Sequence, residues 1–166
     1  MTRSKKMDFL KKISEKILTA GLRVSSYDFE KPWGGFFVID ENQAQMFSDI
    51  YFNGLDVSEL KITGKLSPKI LVVKPEARLS WQYHHRRSET WKIIEGPVGI
   101  VRSETDIESE AKEFKSGETI TLKKEERHRL VGLNNWSVVA EFWQHTNEDN
   151  PSDEQDIVRV QDDYSR

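Results

Sequence analysis

The stretch that decides the fold reads LSWQYHHRRSETW and spans residues 79–91. In a β-strand, residues two apart lie on the same face, so Gln82 and His84 point the same way and His85 points the other way. A short turn after His85 brings Glu89, at the start of the next apolar strand, beside His84. An amide oxygen, an imidazole and a carboxylate then converge, and these groups suit a divalent metal.

A second imidazole completes the candidate set. His128 opens the apolar stretch Arg129-Leu130-Val131, well after the first three residues. The alternative from residue types alone is that the histidines are surface residues or satisfied core residues. The chain has no cysteine, which excludes disulfides, thiolate metal sites and a cysteine nucleophile. The candidate metal ligands are Gln82, His84, Glu89 and His128.

Short apolar runs on both sides of this stretch predict further strands, each bounded by turn residues. They lie at 36–39, 69–73, 91–94, 98–101, 118–122 and 137–143. Such spacing is typical of an all-β sandwich or barrel. No segment between 66 and 146 has helical periodicity, which disfavours an α/β fold. There is also no glycine-rich phosphate loop.

The N-terminal segment predicts an amphipathic helix over residues 5–20. Apolar residues recur there at helical spacing, and Gly21 is placed to end the helix. We expect the helix to pack on the body or on another subunit. Lysines are spread through the segment without a long apolar run, so we expect no export signal and a cytoplasmic protein. We assign 1–30 to an N-terminal helical segment and 31–166 to the main domain.

Length and charge set the remaining bounds. The chain has 166 residues, enough for one domain. Lysine and arginine total 25 and aspartate and glutamate total 28, giving a net charge of −3, which argues against a nucleic-acid partner. No apolar stretch approaches the roughly 18 residues of a membrane span, so we expect no membrane partner. The acidic tail after residue 146 reads by composition as solvated and partly disordered.

The spacing of the candidate ligands resembles the first motif of the cupin superfamily. That motif runs Gly, five residues, His, one residue, His, three or four residues, Glu, six residues, Gly. Here the corresponding positions are Glu76, Gln82, His84, Glu89 and Gly96. The metal-facing positions are kept, with glutamine in place of the first histidine, and the first glycine is lost.

The second cupin motif is also present, in a weaker form. It runs Gly, five residues, Pro, one residue, Gly, two residues, His, three residues, Asn, and here it reads Gly117, Lys123, Glu125, His128 and Gly132. The resemblance implies a small antiparallel cupin barrel, the double-stranded β-helix or jelly-roll type, with an N-terminal helix and a short C-terminal extension. It also implies a divalent metal, with zinc, iron, manganese and nickel all suited to the ligands, and a homodimer.

Residues 79–91 look like the signature of the type II phosphomannose isomerases, which reads Leu-Ser-x-Gln-x-His-His-His-Arg-Ala-Glu-x-Trp. The stretch KPWG at 31–34 is similar to that family's Arg-Pro-Trp-Gly, and 156–166 are similar to its C-terminal ending. The resemblance therefore runs from 31 to 166 and implies that 153–166 are ordered, against the composition. Arg86 departs from the pattern by replacing the third histidine of the triplet.

The resemblance implies a metal-dependent sugar-phosphate isomerase that acts on mannose 6-phosphate or a related aldose phosphate through an enediolate. Such a reaction needs a base that moves a proton between two carbons. Glu141 shares a strand face with Trp143 and His145, and we identify it as the candidate base. The alternative for Glu141 is a structural partner of a buried arginine. His145 lies near the strand end, where we expect it to be a surface residue.

Phosphate binding needs cations, and the candidates are Arg87, Arg129, Arg159 and Arg166. Arg87 and Arg159 match family positions, so we expect both to bind substrate, with Arg87 also catalytic. For any one arginine the alternative is an ion pair with the acidic tail. Trp91 is a candidate for stacking on the sugar ring, with a core role as the alternative.

Two other functions stay open. A non-catalytic carbohydrate-binding or regulatory cupin is favoured by the loss of the third histidine at Arg86. A metal-dependent oxygenase is disfavoured by Gln82, because those sites usually keep imidazoles or a face of two histidines and one carboxylate.

Overall fold

The computed structural model describes residues 3–60 and 65–164. The described residues form three helices, a 3-10 turn at Glu41–Gln43 and eleven strands. The helices are α1 (Arg3–Thr19), α2 (Ala44–Tyr51) and α3 (Val57–Leu60). The strands are β1 (Val24–Asp28), β2 (Gly34–Ile39), β3 (Lys69–Val73), β4 (Trp81–Tyr83), β5 (Arg87–Glu95), β6 (Val98–Ser103), β7 (Lys112–Phe114), β8 (Thr119–Leu122), β9 (Arg127–Gly132), β10 (Ser137–His145) and β11 (Val158–Gln161).

These strands form two antiparallel sheets. The larger has the order β1-β2-β3-β10-β5-β8, and the smaller has the order β11-β4-β9-β6-β7. The sequence-based prediction of an all-β fold with an N-terminal helix is confirmed, and the six predicted strands fall within β2, β3, β5, β6, β8 and β10. Helix α1 also occupies nearly the range that the apolar spacing predicts.

Strict alternation along β5 explains how charged residues come to line the space between the sheets. Arg87, Glu89, Trp91 and Ile93 are buried, while the residues between them are only half-buried. The inward face therefore carries an arginine and a glutamate at one end and apolar side chains at the other. The apolar end joins a cluster from both sheets, and the polar end faces a cavity.

A second apolar cluster lies on the other face of the larger sheet, beneath α1 and α2. Leu10, Ile13 and Ile17 of α1 pack there with Phe47 of α2. Eight of the nine residues of β10 are buried, because that strand is covered on both faces. Helix α1 therefore packs on the body of the chain, as one of the two sequence-based alternatives expected.

Two features of the first 60 residues escaped the sequence analysis. Strand β1 lies within the segment 1–30 that was assigned as helical, and it pairs with β2. Its residues are mostly exposed, so it carries no apolar alternation to reveal it. No element was predicted from the sequence in the region that holds α2 and α3.

The acidic tail is ordered over its described part. Strand β11 pairs with β4 at the edge of the smaller sheet, with Arg159 opposite Gln82. The ordering expected from the family resemblance is confirmed for 153–164, and the composition-based reading was wrong. Ser165 and Arg166 lie outside the described residues. Within the described part of the chain, no helix is long and apolar enough to cross a membrane.

Candidate metal centre

Three strands bring the candidate ligands together. His84 follows β4 directly, Glu89 lies on the inward face of β5, and His128 lies on β9. Gln82 is the register partner of His128, which fixes β4 beside β9. The three side chains of His84, Glu89 and His128 are therefore buried together, although the third is about 40 residues away from the others.

The ligand atoms of this cluster lie within 4.8 Å of one another. His84 Nε2 is 3.4 Å from Glu89 Oε2, and His128 Nε2 is 3.2 Å from Glu89 Oε1. The two imidazole rings have centroids 5.1 Å apart. Both histidines and the glutamate are almost fully buried, at 2–3% exposure. This arrangement places two ring nitrogens around one carboxylate.

The tautomer of each histidine follows from its second nitrogen. His84 Nδ1 lies 2.7 Å from the carbonyl oxygen of Asp156, and His128 Nδ1 lies 3.0 Å from that of Glu126. A carbonyl oxygen only accepts hydrogen bonds, so both Nδ1 atoms carry the hydrogen. Each Nε2 then faces Glu89, as in the histidines of metal sites when a carbonyl orients them.

The residues present fit a divalent cation. Glu89 Oε1 and His128 Nε2 are buried without a hydrogen-bond partner. Burial lowers the pKa of His84 to about 4, so this imidazole is neutral at pH 7. Burial opposes the charge on Glu89, but neighbouring His84 and Arg87 hold the pKa of that carboxyl well below its usual range. Two imidazoles and one carboxylate that face one another are a common ligand set for transition metals.

Gln82 lies beside the cluster but presents the other end of its amide. Its Nε2 is 3.3 Å from His84 Nε2, and its Oε1 accepts a 2.5 Å hydrogen bond from Ser80 Oγ. The amide would have to turn over to offer its oxygen to a metal. The structure thus places Gln82 next to the three ligands without the orientation of a fourth.

Arg87 is committed to the protein. Nε and Nη2 donate to Glu89 at 2.9 Å, and Nη1 donates to Ser152 Oγ and to the carbonyl of Asp153. Nη2 also lies 3.4 Å from His84 Nε2. These contacts use all five N–H groups of a guanidinium, which leaves none for a phosphate. The geometry makes Arg87 a residue that positions Glu89, rather than the phosphate ligand that the family match suggests.

Glu141 is buried in the same cavity, and its carboxylate is held by indoles instead of an arginine. Oε2 accepts from Trp91 Nε1 at 2.8 Å and Oε1 from Trp143 Nε1 at 2.9 Å. Burial and the charge of Glu89 raise the pKa of Glu141 to about 7. Glu141 therefore faces the cavity, as its role of candidate base requires. The alternative role, a structural partner of a buried arginine, is not what the structure shows, because Arg87 pairs with Glu89.

The cavity between the sheets has a volume of about 100 Å³. Glu89, His128 and Glu141 line it on the polar side, and tryptophan rings line it elsewhere. Trp91 is one of these rings, and it also meets His128 edge-on at 5.5 Å. The cavity-lining tryptophans are Trp33, Trp91 and Trp143.

The remaining candidate arginines have different positions. Arg129 lines the cavity, is fully buried and pairs with Glu108, but its Nε has no hydrogen-bond partner. Arg159 lines the cavity from β11 and is exposed. Arg166 lies outside the described residues. The cavity therefore holds one unsatisfied guanidinium nitrogen and one exposed arginine.

The expectation that His145 is a surface residue was wrong. His145 is fully buried, and its Nδ1 accepts a 3.0 Å hydrogen bond from the backbone N–H of Ser152. The C-terminal segment returns over the end of β10 and covers the ring. Strand position alone does not show this, because the covering residues come from a different part of the chain.

Two further residues of the site were missed. Asp156 accepts hydrogen bonds from the backbone N–H groups of His85 and Arg86, which holds the turn after His84. Lys69 is buried and lines the cavity. The sequence does contain a signal for Lys69: it lies two residues before Leu71, on the same inward face of β3.

Comparison with known proteins identifies related sequences. A family model described as "Mannose-6-phosphate isomerase C-terminal" matches residues 40–162. The xanthan biosynthesis protein XanB of Xanthomonas campestris pv. campestris strain ATCC 33913 is 25% identical over 164 residues, covering 95% of this chain and 28% of XanB. XanB of strain B100 is 24% identical with the same coverage. The chain thus spans under a third of the length of these relatives.

Solved structures are similar at the level of the fold. The capsular polysaccharide assembling protein CapF of Staphylococcus aureus superposes with a TM-score of 0.53 at 14% identity, over 84% of this chain and 34% of CapF. KdgF of a Halomonas species gives 0.50 at 12% identity, over 75% of this chain and 90% of KdgF. Tomato vicilin gives 0.56 at 16% identity, over 84% of this chain and 35% of vicilin. The cupin barrel expected from the two motifs is confirmed.

Proposed function

This chain belongs to the family of mannose-6-phosphate isomerase C-terminal domains, and we propose that it is a metal-dependent sugar-phosphate isomerase. The substrate is mannose 6-phosphate or a related aldose phosphate, which the protein interconverts with the ketose phosphate. The observation that carries the proposal is the buried cluster of His84, Glu89 and His128, with two polar atoms left unpaired.

His84, Glu89 and His128 would hold the metal, with the Gln82 amide as a fourth ligand after it turns over. A divalent cation polarises a sugar carbonyl and stabilises negative charge that develops on its oxygen. The protein supplies the support: Arg87 orients Glu89, and two backbone carbonyls fix the histidine tautomers. Supporting contacts of this kind keep ligands in place while substrate exchanges.

Glu141 is the base in this proposal. Isomerisation removes a proton from C2 of the aldose and returns it to C1, so one group must both accept and release it. A carboxyl group with a pKa of about 7 exchanges protons readily near neutral pH. The two indole hydrogen bonds hold the carboxylate toward the cavity while each oxygen keeps a free lone pair.

Other cavity residues suit a polar ligand. The unpaired Nε of Arg129 can donate to a sugar oxygen, and the ring of Trp91 offers an apolar face to the sugar carbons. Arg159 stands at the exposed side of the cavity, where it can meet a phosphate. In this proposal the sugar lies inside the cavity and its charged end points toward solvent.

Phosphorus NMR of a sugar-phosphate panel tests the function. Metal-loaded protein is incubated with mannose, fructose, glucose and sedoheptulose phosphates, and a new aldose or ketose phosphate signal is expected. His128→Ala should abolish both metal binding and the signal. His85→Ala is the matched control, because His85 is the neighbouring histidine on the exposed side and its ring contacts Tyr83 and Glu125 instead of the cluster.

Two results would contradict the proposal. Turnover that persists in metal-free protein would show that the reaction does not need the metal. An unchanged spectrum with confirmed metal content, together with saturable sugar binding, would instead support a non-catalytic carbohydrate-binding cupin. That outcome is the alternative favoured by Arg86 in place of the third histidine of the family signature.

A further inference from the structure

A buried lysine that is not part of the His84, Glu89 and His128 cluster also lines the cavity. Lys69 opens β3 on its inward face and is the register partner of Glu141 on β10. Its side chain is buried, and it lines the cavity. Charged lysines are almost never buried unless they are paired, so the partner of this ammonium matters.

The partner comes from the C-terminal segment and is largely in solvent. Lys69 Nζ donates to Glu154 Oε1, and the Glu154 side chain is 66% exposed. On either side of Glu154, the carbonyl of Asp153 accepts from Arg87 and the carboxylate of Asp156 accepts from Ser152. The backbone around Glu154 is therefore fixed, whereas its carboxylate is largely in solvent and can turn out into water. Because Lys69 is buried, this movement costs little only when another anion takes the place of the carboxylate.

Two aromatic rings also hold Lys69 in position. Its Nζ lies 4.7 Å from the ring centroid of Phe36 and 4.6 Å from that of Trp143. Cation–π contacts of this length hold an ammonium between aromatic faces. An anion that replaced Glu154 would therefore meet a cation already in place.

Two more cations line the cavity. Lys31 contacts the same Phe36 ring as Lys69, and both Lys31 and Arg159 are accessible to solvent. His84, Glu89, His128 and Glu141 are buried. A ligand with a phosphate at one end and a carbonyl at the other matches this division of charge.

We propose that Lys69 binds the phosphate of the substrate and that Glu154 occupies that place in the free protein until the phosphate displaces it. The inference rests on the proposed function, because it locates the charged end of the sugar phosphate. It also accounts for the small cavity. About 100 Å³ is below the roughly 300 Å³ at which ligand pockets begin, and moving the Glu154 side chain out opens the cavity toward solvent.

The test measures equilibrium binding of inorganic phosphate by isothermal titration calorimetry, with neutral mannose as a second probe. Glu154→Gln removes the competing charge, and we expect phosphate to bind about threefold to fivefold more tightly, because the carboxylate that it displaces is largely in solvent and screened there. Lys69→Gln should weaken phosphate binding by at least about tenfold, as expected for a charge-assisted contact. Neither change should alter mannose affinity.

Glu148→Gln is the matched control, since Glu148 is an exposed glutamate of the same tail that does not line the cavity. It changes the net charge by the same amount and should leave phosphate affinity unchanged. In the Lys69→Gln background, Glu154→Gln should have no further effect. That dependence separates displacement at Lys69 from a general change in surface potential.

The inference is overturned if wild type and Glu154→Gln bind phosphate with the same affinity. It is also overturned if neither protein binds phosphate. Because Glu154 is exposed, this result does not depend on how well Lys69→Gln folds. If the affinities shift as expected but no sugar phosphate is converted, the proposed function fails and the phosphate site stands. If a sugar phosphate is converted but the affinities do not shift, the phosphate site at Lys69 fails and the proposed function stands.

Discussion

At the scale of single residues, Glu141 shows how burial turns a carboxyl group into a group that titrates near neutral pH. Its pKa is raised to about 7 from an ordinary 4.5 by burial and by the charge of Glu89. Between these two values the folded protein keeps a proton that the unfolded chain releases. The stability that this group contributes is therefore fully present below pH 4.5 and is lost as the pH rises to about 7.

Replacing Glu141 with Gln should remove this loss. Across that pH range the wild-type free energy of unfolding should fall by up to roughly 3 kcal/mol more than that of Glu141→Gln. Urea unfolding of metal-free protein at several pH values measures both. The slope from His84 is common to the two proteins and cancels in the difference. Glu113→Gln, at an exposed position, should keep the wild-type slope, and parallel curves for Glu141→Gln would contradict the assignment.

Two other glutamates replace glycines of the cupin motifs. Glu76 and Glu125 occupy positions where those motifs have glycine, and both adopt a left-handed backbone, with φ of 63° and 64°. A side chain at such a φ costs about 1–2 kcal/mol. The turns of the motifs are thus kept in shape although the residue that fits them best is gone.

Glu125→Gly should therefore stabilise the protein, by about 1 kcal/mol in urea unfolding after the greater flexibility of glycine in the unfolded chain is counted. The exposed ion pair with His85 that is lost contributes little. Glu110→Gly is the control, since Glu110 is exposed and does not have a positive φ. It should lower stability, and a loss at Glu125 as well would show that its backbone is not strained.

At the scale of elements, the C-terminal segment supports the cluster of His84, Glu89 and His128 from outside. The backbone carbonyl of Asp156 orients His84, and its carboxylate accepts from Ser152 and from the two backbone N–H groups that follow His84. The carboxylate interactions lower the pKa of Asp156 despite its burial. Strand β11, directly after Asp156, anchors the segment on β4.

Asp156→Ala should weaken zinc binding about 10-fold to 100-fold, the usual effect of losing a group that orients a ligand. The reason is that the turn after His84 loses its two hydrogen bonds to the carboxylate, and Ser152 loses a third. Competition with a chelating dye measures the affinity. Asp149→Ala changes an exposed aspartate in the same tail and should bind zinc like wild type. Wild-type affinity in Asp156→Ala would show that the carboxylate is not needed to hold His84 in place.

At the scale of the whole molecule, the larger sheet joins two apolar clusters. One face of β10 contributes Val139 to the cluster between the sheets, and the other contributes Ala140 to the cluster under the helices. Loss of either cluster exposes a face of the same strands. Helix α1 and the barrel should therefore unfold together, in one transition.

Ile17→Ala tests this coupling. Ile17 is buried at 1% exposure, and the change should cost about 2–5 kcal/mol. Leu18→Ala, at 60% exposure, should cost less than about 0.5 kcal/mol. Circular dichroism reports the helix and tryptophan fluorescence reports the barrel, and both should shift equally. Separate transitions would show that the helix is an independent unit.

The homodimer expected from the cupin resemblance stays a prediction, as does the cytoplasmic location. Sedimentation equilibrium tests the first, with a mass equal to two 19.4 kDa chains as the expected result. A mass of one chain at all concentrations would contradict it.

The sequence by itself determined the class of fold and the ligand set. Strand alternation is a local property, so the spacing of Gln82, His84 and Glu89 was enough to place them on inward positions. His128 was added as a second imidazole, and its position also matches the second cupin motif. Tertiary structure decided which of these groups face one another, and it turned the amide nitrogen of Gln82 toward His84.

Only the tertiary structure decided what covers each inward position. Arg87 meets Ser152 across 65 residues, and Lys69 meets Glu154 across 85. The same returning segment buries His145. Local periodicity shows which way a side chain points but not which distant segment packs over it. For this reason the roles of Arg87, Lys69 and His145 followed from the path of the C-terminal segment and not from their neighbours in sequence.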